Sequence, residues 1–296
     1  MTDLDRVRAH YGTAGLVDRL KAALAPLGPE EQRLAPAQLA GLDQFHTRGL
    51  AATDELAKLA GITAATAVLD VGSGVGGPAR FLAQTYGCRV TGVDLSAPFV
   101  EAARYLTERT GQGAQVTFET GSALALPFDA ATFDAVLLQH VAMNIADRAA
   151  LYAELRRVLH AGGRFATFDV VAAGAAPHFP LPWARTPDTS VLVTAAATRA
   201  LVEHAGFRAI VERDDTAAAA AWFAEQRATA AQPAAAAQRA AAAQHAAAAQ
   251  HAAAAAPQPP NLGAIMGPQF PELAANLGRS LAEGRLGIYT AVFVAA

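Results

Sequence analysis

Cysteine is almost absent from the chain: Cys88 is the only one in 296 residues, which excludes an intrachain disulfide and a cysteine-based zinc site. The eight histidines form no H-E-x-x-H or comparable helix-face pair, and no Asp/Glu cluster accompanies them, so no metal centre is expected. A concentrated basic face is lacking too. Net charge is −3 and charged residues make up 17% of the chain, which argues against nucleic acid as a partner. No uncharged apolar run reaches the ~18 residues of a membrane span. The opening residues Met1 to Arg6 show no basic stretch leading into an apolar one, as a signal peptide would. The expectation is a soluble, cytoplasmic protein without a membrane partner. What the chain has in quantity is apolar side chains, 53% of the total, enough for a sizeable core.

The first 60 residues read as a helical cap region. Leu16, Leu20, Leu24 and Leu27 recur at three- and four-residue spacing, and Pro26, Gly28 and Pro29 then break the pattern. A second helix fits Thr53 to Ala60, with Gly61 as its stop. From residue 67 onward, short β-rich runs alternate with helical stretches: Ala67–Val71, Arg89–Val93, Val116–Glu119, Phe133–Leu138, Arg164–Val171 and Phe207–Glu212, with a last strand at Ile288–Val294. Several are apolar on nearly every residue, as parallel strands covered on both faces are. The alternation signals βαβ units and an α/β fold. Residues 61–296 are thus expected to form one domain, carrying an exposed Ala/Gln-rich insert at 228–260. Within that insert a Gln-X-Ala-Ala-Ala-Ala unit repeats at 232–256. A six-residue period sends its polar pairs around a helix axis, leaving no face to dock. It also puts His245 and His251 too far apart to chelate. A homodimer is an open option for assembly.

The informative segment is Val68-Leu69-Asp70-Val71-Gly72-Ser73-Gly74-Val75-Gly76-Gly77-Pro78. A strand ends at Asp70 or Val71, a glycine turn follows, and a helix starts near Pro78, whose fixed φ suits a first turn; Gly87 closes it. Gly72, Gly74 and Gly77 also satisfy the dinucleotide pattern G-x-G-x-x-G. The discriminating residue is Asp70, because a carboxylate there repels a pyrophosphate and suits the cationic end of a methionine moiety. Asp94 ends the next strand, where a carboxylate can accept hydrogen bonds from a ribose diol. Its competing role is as a helix N-cap. Ser96 can take that role and leave Asp94 free.

With these residues in view, the chain resembles class I S-adenosylmethionine-dependent methyltransferases of the UbiE-like and sarcosine/dimethylglycine-type small-molecule group. Four stretches carry the resemblance: Val68–Pro78, Val90–Ser96, Gly121–Phe128 with Phe133-Asp134, and Leu155–Arg164. It implies a doubly wound, Rossmann-like seven-stranded sheet with Ile288–Val294 as an antiparallel last strand. It also implies S-adenosylmethionine as cofactor. Asp70 and the loop Gly72, Ser73, Gly74 and Gly76 would hold the methionine part, and Asp94 the ribose. Leu95 would pack on adenine, Ser122 and Ala123 would sit at the adenine edge, and Gln139 would complete the cofactor contacts. An acid is usual where Ser122 stands, so the sequence departs from the family pattern there.

Methyl transfer from a sulfonium is an in-line displacement, for which a protein mainly supplies proximity, alignment and a dry pocket. A base is needed only when the acceptor carries a proton at reaction. His140, in Gln139-His140-Val141-Ala142-Met143-Asn144, is the candidate base, with an ordinary pKa near 6.5; the competing roles are structural or cofactor contact. Met143 and Asn144 are candidate substrate contacts, Asn144 alternatively capping a helix near Ala146. Tyr11, His46, His178 and Trp183 complete the substrate candidates, and Trp222-Phe223 follow the sixth strand. The expected function is methyl transfer to a small-molecule acceptor through an amine, hydroxyl, carboxylate or carbon. The alternatives are a non-methylating cofactor-binding protein of the same fold and an NAD-dependent oxidoreductase, which Asp70 opposes.

Overall fold

A computed structural model of the chain describes residues 15–229 and 262–296; Tyr11 and the repeat at 232–256 lie outside the described residues. Seven strands form one sheet: β1 Ala67–Val71, β2 Arg89–Asp94, β3 Val116–Thr120, β4 Phe133–Gln139, β5 Leu159–Ala172, β6 Phe207–Asp214 and β7 Leu286–Ala295. Their order is β3-β2-β1-β4-β5-β7-β6. Pairings are parallel from β3 through β5, and β7 runs antiparallel to both β5 and β6.

The apolar runs explain this arrangement. On β1 and β4, Val68, Ala135 and Leu137 pack into one buried cluster, whereas Leu69, Val71, Val136 and Leu138 pack into another on the opposite face. A strand buried on both sides is apolar at most positions, and the buried exceptions here are Asp70 on β1 and Gln139 at the end of β4. The chain winds outward from β1 to β3, then returns to place β4 on the other side of β1. That reversal opens a crevice beyond the C-terminal ends of β1 and β4.

The helices are α1 Leu16–Leu24, α2 Gly49–Ala60, α3 Gly77–Tyr86, α4 Ala97–Thr110, α5 Arg148–Val158 and α6 Ala195–His204. Helix α7 covers 216–229 of the described residues, and α8 is Phe270–Ala282. Leu16, Leu20 and Leu24 of α1 join Phe99, Ala102 and Leu106 of α4 in a third core cluster. Each fully buried leucine there contributes roughly 1.5–3 kcal/mol relative to exposure.

Several elements differ from expectation. Helix α2 starts at Gly49, one turn before Thr53, because Arg48 adopts a left-handed conformation (φ 63) that turns the chain into the helix without a side-chain cap. Residues 25–48 hold only 3₁₀ turns and the single turn Ala40–Asp43. β5 begins at Leu159, with its register shifting before Arg164. The cap of α5 is Asp147, whose side chain accepts from the Ala150 amide at 2.9 Å; Asn144 instead donates to the Val141 carbonyl.

Candidate active site

The glycine turn between β1 and α3 is pinned to β2. The amides of Gly72 and Ser73 donate to the Val93 carbonyl at 2.8 and 3.1 Å. Gly72 lies at φ 72, and a Cβ there would fall 2.3 Å from Val141 Cγ2, so its missing side chain lets the segment after β4 close over the turn. Gly72→Ala should cost roughly 2–4 kcal/mol, from a left-handed alanine and an overpacked contact. Adding Val141→Ala should recover the packing part. Denaturant unfolding of the three variants reads this, and a double variant no more stable than Gly72→Ala would remove Val141 as the cause.

Two carboxyls flank the turn. Asp94 accepts from the Gly74 amide through Oδ2 and from the Ser96 amide through Oδ1, both at 2.9 Å. It is therefore not left free by Ser96, whose side chain makes no capping bond to α4. A carboxylate has acceptor capacity beyond two bonds, so engagement with the turn is compatible with a further hydroxyl. Asp70 is buried and its Oδ2 has no partner. Burial, reinforced by the nearby Asp94 charge, pushes its carboxyl up to about 7. Burial also raises Asp94, against the lowering effect of its backbone donors. The buried Ser73 Oγ is likewise unpartnered.

Beyond β4 lies a histidine cluster. His140 has φ 55, unusual outside glycine and characteristic of functional loops. Its amide donates to the Phe168 carbonyl at 2.9 Å, its ring stacks on Phe168 at 5.4 Å, and Nε2 lies 3.4 Å from Thr47 Oγ1. His46 packs edge-on at 6.2 Å. The His46 Nε2 lies 3.0 Å from the Gly49 carbonyl; a carbonyl only accepts, so this nitrogen carries the proton. Gln139 donates to Thr53 Oγ1 at 3.2 Å, and Thr53 in turn meets His46 Nε2 at 3.0 Å. Burial lowers His46 to about 4. Burial first, and the neighbouring His46 second, hold His140 well below its ordinary value. Both imidazoles are therefore neutral at pH 7.

These groups face one cavity of about 790 Å³. Gly72, Gly74, Asp94, Leu95, Ser122, Ala123, Gln139 and His140 line it, and so do His46, Met143, Asn144 and Trp183. Asp70 and Ser73 sit behind this wall and are not part of it. Gly76 serves packing, since a Cβ there would fall 2.4 Å from Phe118 Cζ. The Ser122 hydroxyl accepts from the Leu124 amide at 3.2 Å. His178 does not reach the cavity; its Nε2 is 2.7 Å from Glu283 Oε2. Sequence reasoning singled out His46 in the 40–47 segment, whose Gln44, Phe45 and Thr47 line the cavity as well, and missed helix α8 with Phe270, Ala274 and Leu277. Helix α8 had a signal, because Leu273, Leu277 and Leu281 repeat every four residues.

Residues 69–167 match the profile of the Methyltransf_11 family, a methyltransferase domain. A sterol 24-C-methyltransferase of Eremothecium gossypii is 39% identical over 116 residues, which is 39% of this chain and 31% of that protein. The methyltransferase GfsG of Streptomyces halstedii is 34% identical over 133 residues, covering 45% and 48% of the two chains. The chain thus spans only 31% and 48% of the length of these two relatives. Among solved structures, a geranyl diphosphate methyltransferase aligns with a TM-score of 0.67 at 16% identity, over 99% of both chains. The [4+2]-cyclase SpnF aligns with 0.62 at 20% identity, over 96% and 97%. The chain shares the Rossmann-like fold of these two solved structures, and residues 69–167 are similar to methyltransferase domains.

Proposed function

We propose that this chain binds S-adenosylmethionine at the glycine turn and transfers its methyl group to a small-molecule acceptor in the adjoining cavity. The observation that carries this reading is the buried, unpartnered Asp70 carboxyl beside Asp94. Two acids at this turn oppose a pyrophosphate and suit an ammonium group. The residues fit the cofactor in other respects as well. The open backbone of Gly72 and Gly74 allows close approach, Asp94 retains acceptor capacity for a ribose diol, and Leu95, Ser122 and Ala123 offer a shelf for adenine. When bound, the cofactor supplies a methyl group already activated on a cationic sulfur. The protein's part is then to hold the acceptor in line and keep water out. For an acceptor that must lose a proton, His140, uncharged at pH 7 and fixed by Phe168 and Thr47, is the group to take it.

We place residues 1–60 as a cap on a domain at 61–296, in a cytoplasmic protein. No helix among the described residues is long and apolar enough to cross a membrane. A second reading, cofactor retention without methylation, draws support from the occurrence of this fold in a [4+2]-cyclase. The deciding experiment measures S-adenosylhomocysteine release against amines, phenols, carboxylates and prenyl alcohols. Acceptor-dependent release, lost in Asp94→Ala and reduced in His140→Ala, is expected. Binding of NAD(H) with none of S-adenosylmethionine would sink the reading.

A further inference from the structure

The cavity wall sorts its charges in a way that bears on the acceptor. Asp94, at the end of β2, is hydrogen-bonded to the glycine turn. The other charged side chains lining the cavity, among the described residues, are Asp147 and Arg227, and both are exposed. Asp147 is occupied as the cap of α5. Between these ends the wall is aromatic, aliphatic or sulfur-bearing: Trp183, Trp222, Phe223, Met266, Phe270 and Leu277. Such surfaces reward apolar area and adapt to its shape. Uncharged polar groups also line it, on His46, Thr47, Gln139 and the neutral His140. A phosphate buried among these apolar side chains would have, among the described residues, only the exposed Arg227 guanidinium to compensate its desolvation.

We propose that the acceptor is an uncharged, mainly apolar molecule with a single polar group, and that the site discriminates against phosphorylated acceptors. The proposal rests on the methyltransferase reading for the word acceptor, but its test does not require turnover. Trp183 and Trp222 are the only tryptophans of the chain, and both line the cavity, so intrinsic fluorescence reports on it. Farnesol and farnesyl diphosphate share one carbon skeleton and differ in the diphosphate. Titrated into the full chain, farnesol should bind at least about tenfold more tightly. Equal or tighter binding of the diphosphate, or no saturable response to farnesol, would overturn the proposal. Ala275→Arg puts a cation on an exposed position of the cavity wall and should narrow the ratio; a folded variant with an unchanged ratio would count against wall charge as the determinant. Calorimetry with S-adenosylhomocysteine is run separately. Its failure sinks the cofactor reading and leaves the farnesol preference legible, whereas cofactor binding without farnesol preference sinks only this proposal.

Discussion

At pH 8, Asp70→Asn is expected to melt higher than the parent protein and yet to bind S-adenosylmethionine at least about 100-fold more weakly, a loss of roughly 3 kcal/mol. The Asp70 carboxyl titrates near 7 in the folded chain, against an ordinary value of 3.8. Between those two values the unfolded chain has released the proton while the folded chain still holds it. Stability therefore falls as pH rises through that window, and above about 7 the folded protein carries the full cost of a buried charge. Asparagine keeps the shape and removes the titration. The gain should be on the order of 2–4 kcal/mol at pH 8 and vanish near pH 4. Binding moves the other way, because an ammonium ligand needs the charged carboxylate, and taking it up should expel a proton from Asp70 near neutrality. Melting curves at both pH values, with calorimetry in two buffers of different ionisation enthalpy, test each half. A variant that is no more stable at pH 8 would mean that Asp70 is solvated or partnered in the folded chain. Unchanged affinity would detach Asp70 from the ligand. A site that gives up stability to keep an unpartnered charge is the expected signature of function.

Much of this was legible in the sequence, for identifiable reasons. Strands buried on both faces are apolar at most positions, so β1, β4 and β7 announced themselves. The glycine turn was legible because left-handed backbone and close approach restrict residue choice, as Gly72 demonstrates. What could not be read is which side chains a folded chain turns inward. His178 and His46 look alike in sequence. One pairs with Glu283 and the other enters the cavity, and only the tertiary placement of their segments separates them. The lowering of His140 from its ordinary value was illegible for the same reason, since burial and a second imidazole are properties of the assembled site. Helix α8 shows the limit from the other side. Its four-residue apolar repeat predicts a buried face, but nothing local says that one edge of that face borders a ligand cavity.

The largest effect on stability is expected at Arg80, a residue that no sequence motif marks. Arg80 is 1% exposed and donates to Asp43 Oδ2 at 2.8 Å, with Asp43 at 4%. Its other contacts are the Ala103 carbonyl and Thr107 Oγ1 on α4. The pair joins three elements: α3, α4 and the single turn Ala40–Asp43 that leads into Gln44, Phe45, His46 and Thr47 of the cavity wall. Gly77 permits this approach, since a Cβ there would fall 2.1 Å from the Asp43 carbonyl oxygen. Burial raises the Asp43 carboxyl and lowers the Arg80 guanidinium, in each case against the pull of the partner, so desolvation is the dominant effect on both. Removing one member leaves the other charged and uncompensated. Arg80→Leu and Asp43→Leu should each cost about 3–5 kcal/mol, whereas the double variant should cost clearly less than their sum. Because Asp43 anchors the segment bearing His46, the single variants should also lose the fluorescence response of the cavity to farnesol before they unfold globally. Additive single costs in the cycle would show that the two charges are screened from each other and that the cap is held by its leucines alone.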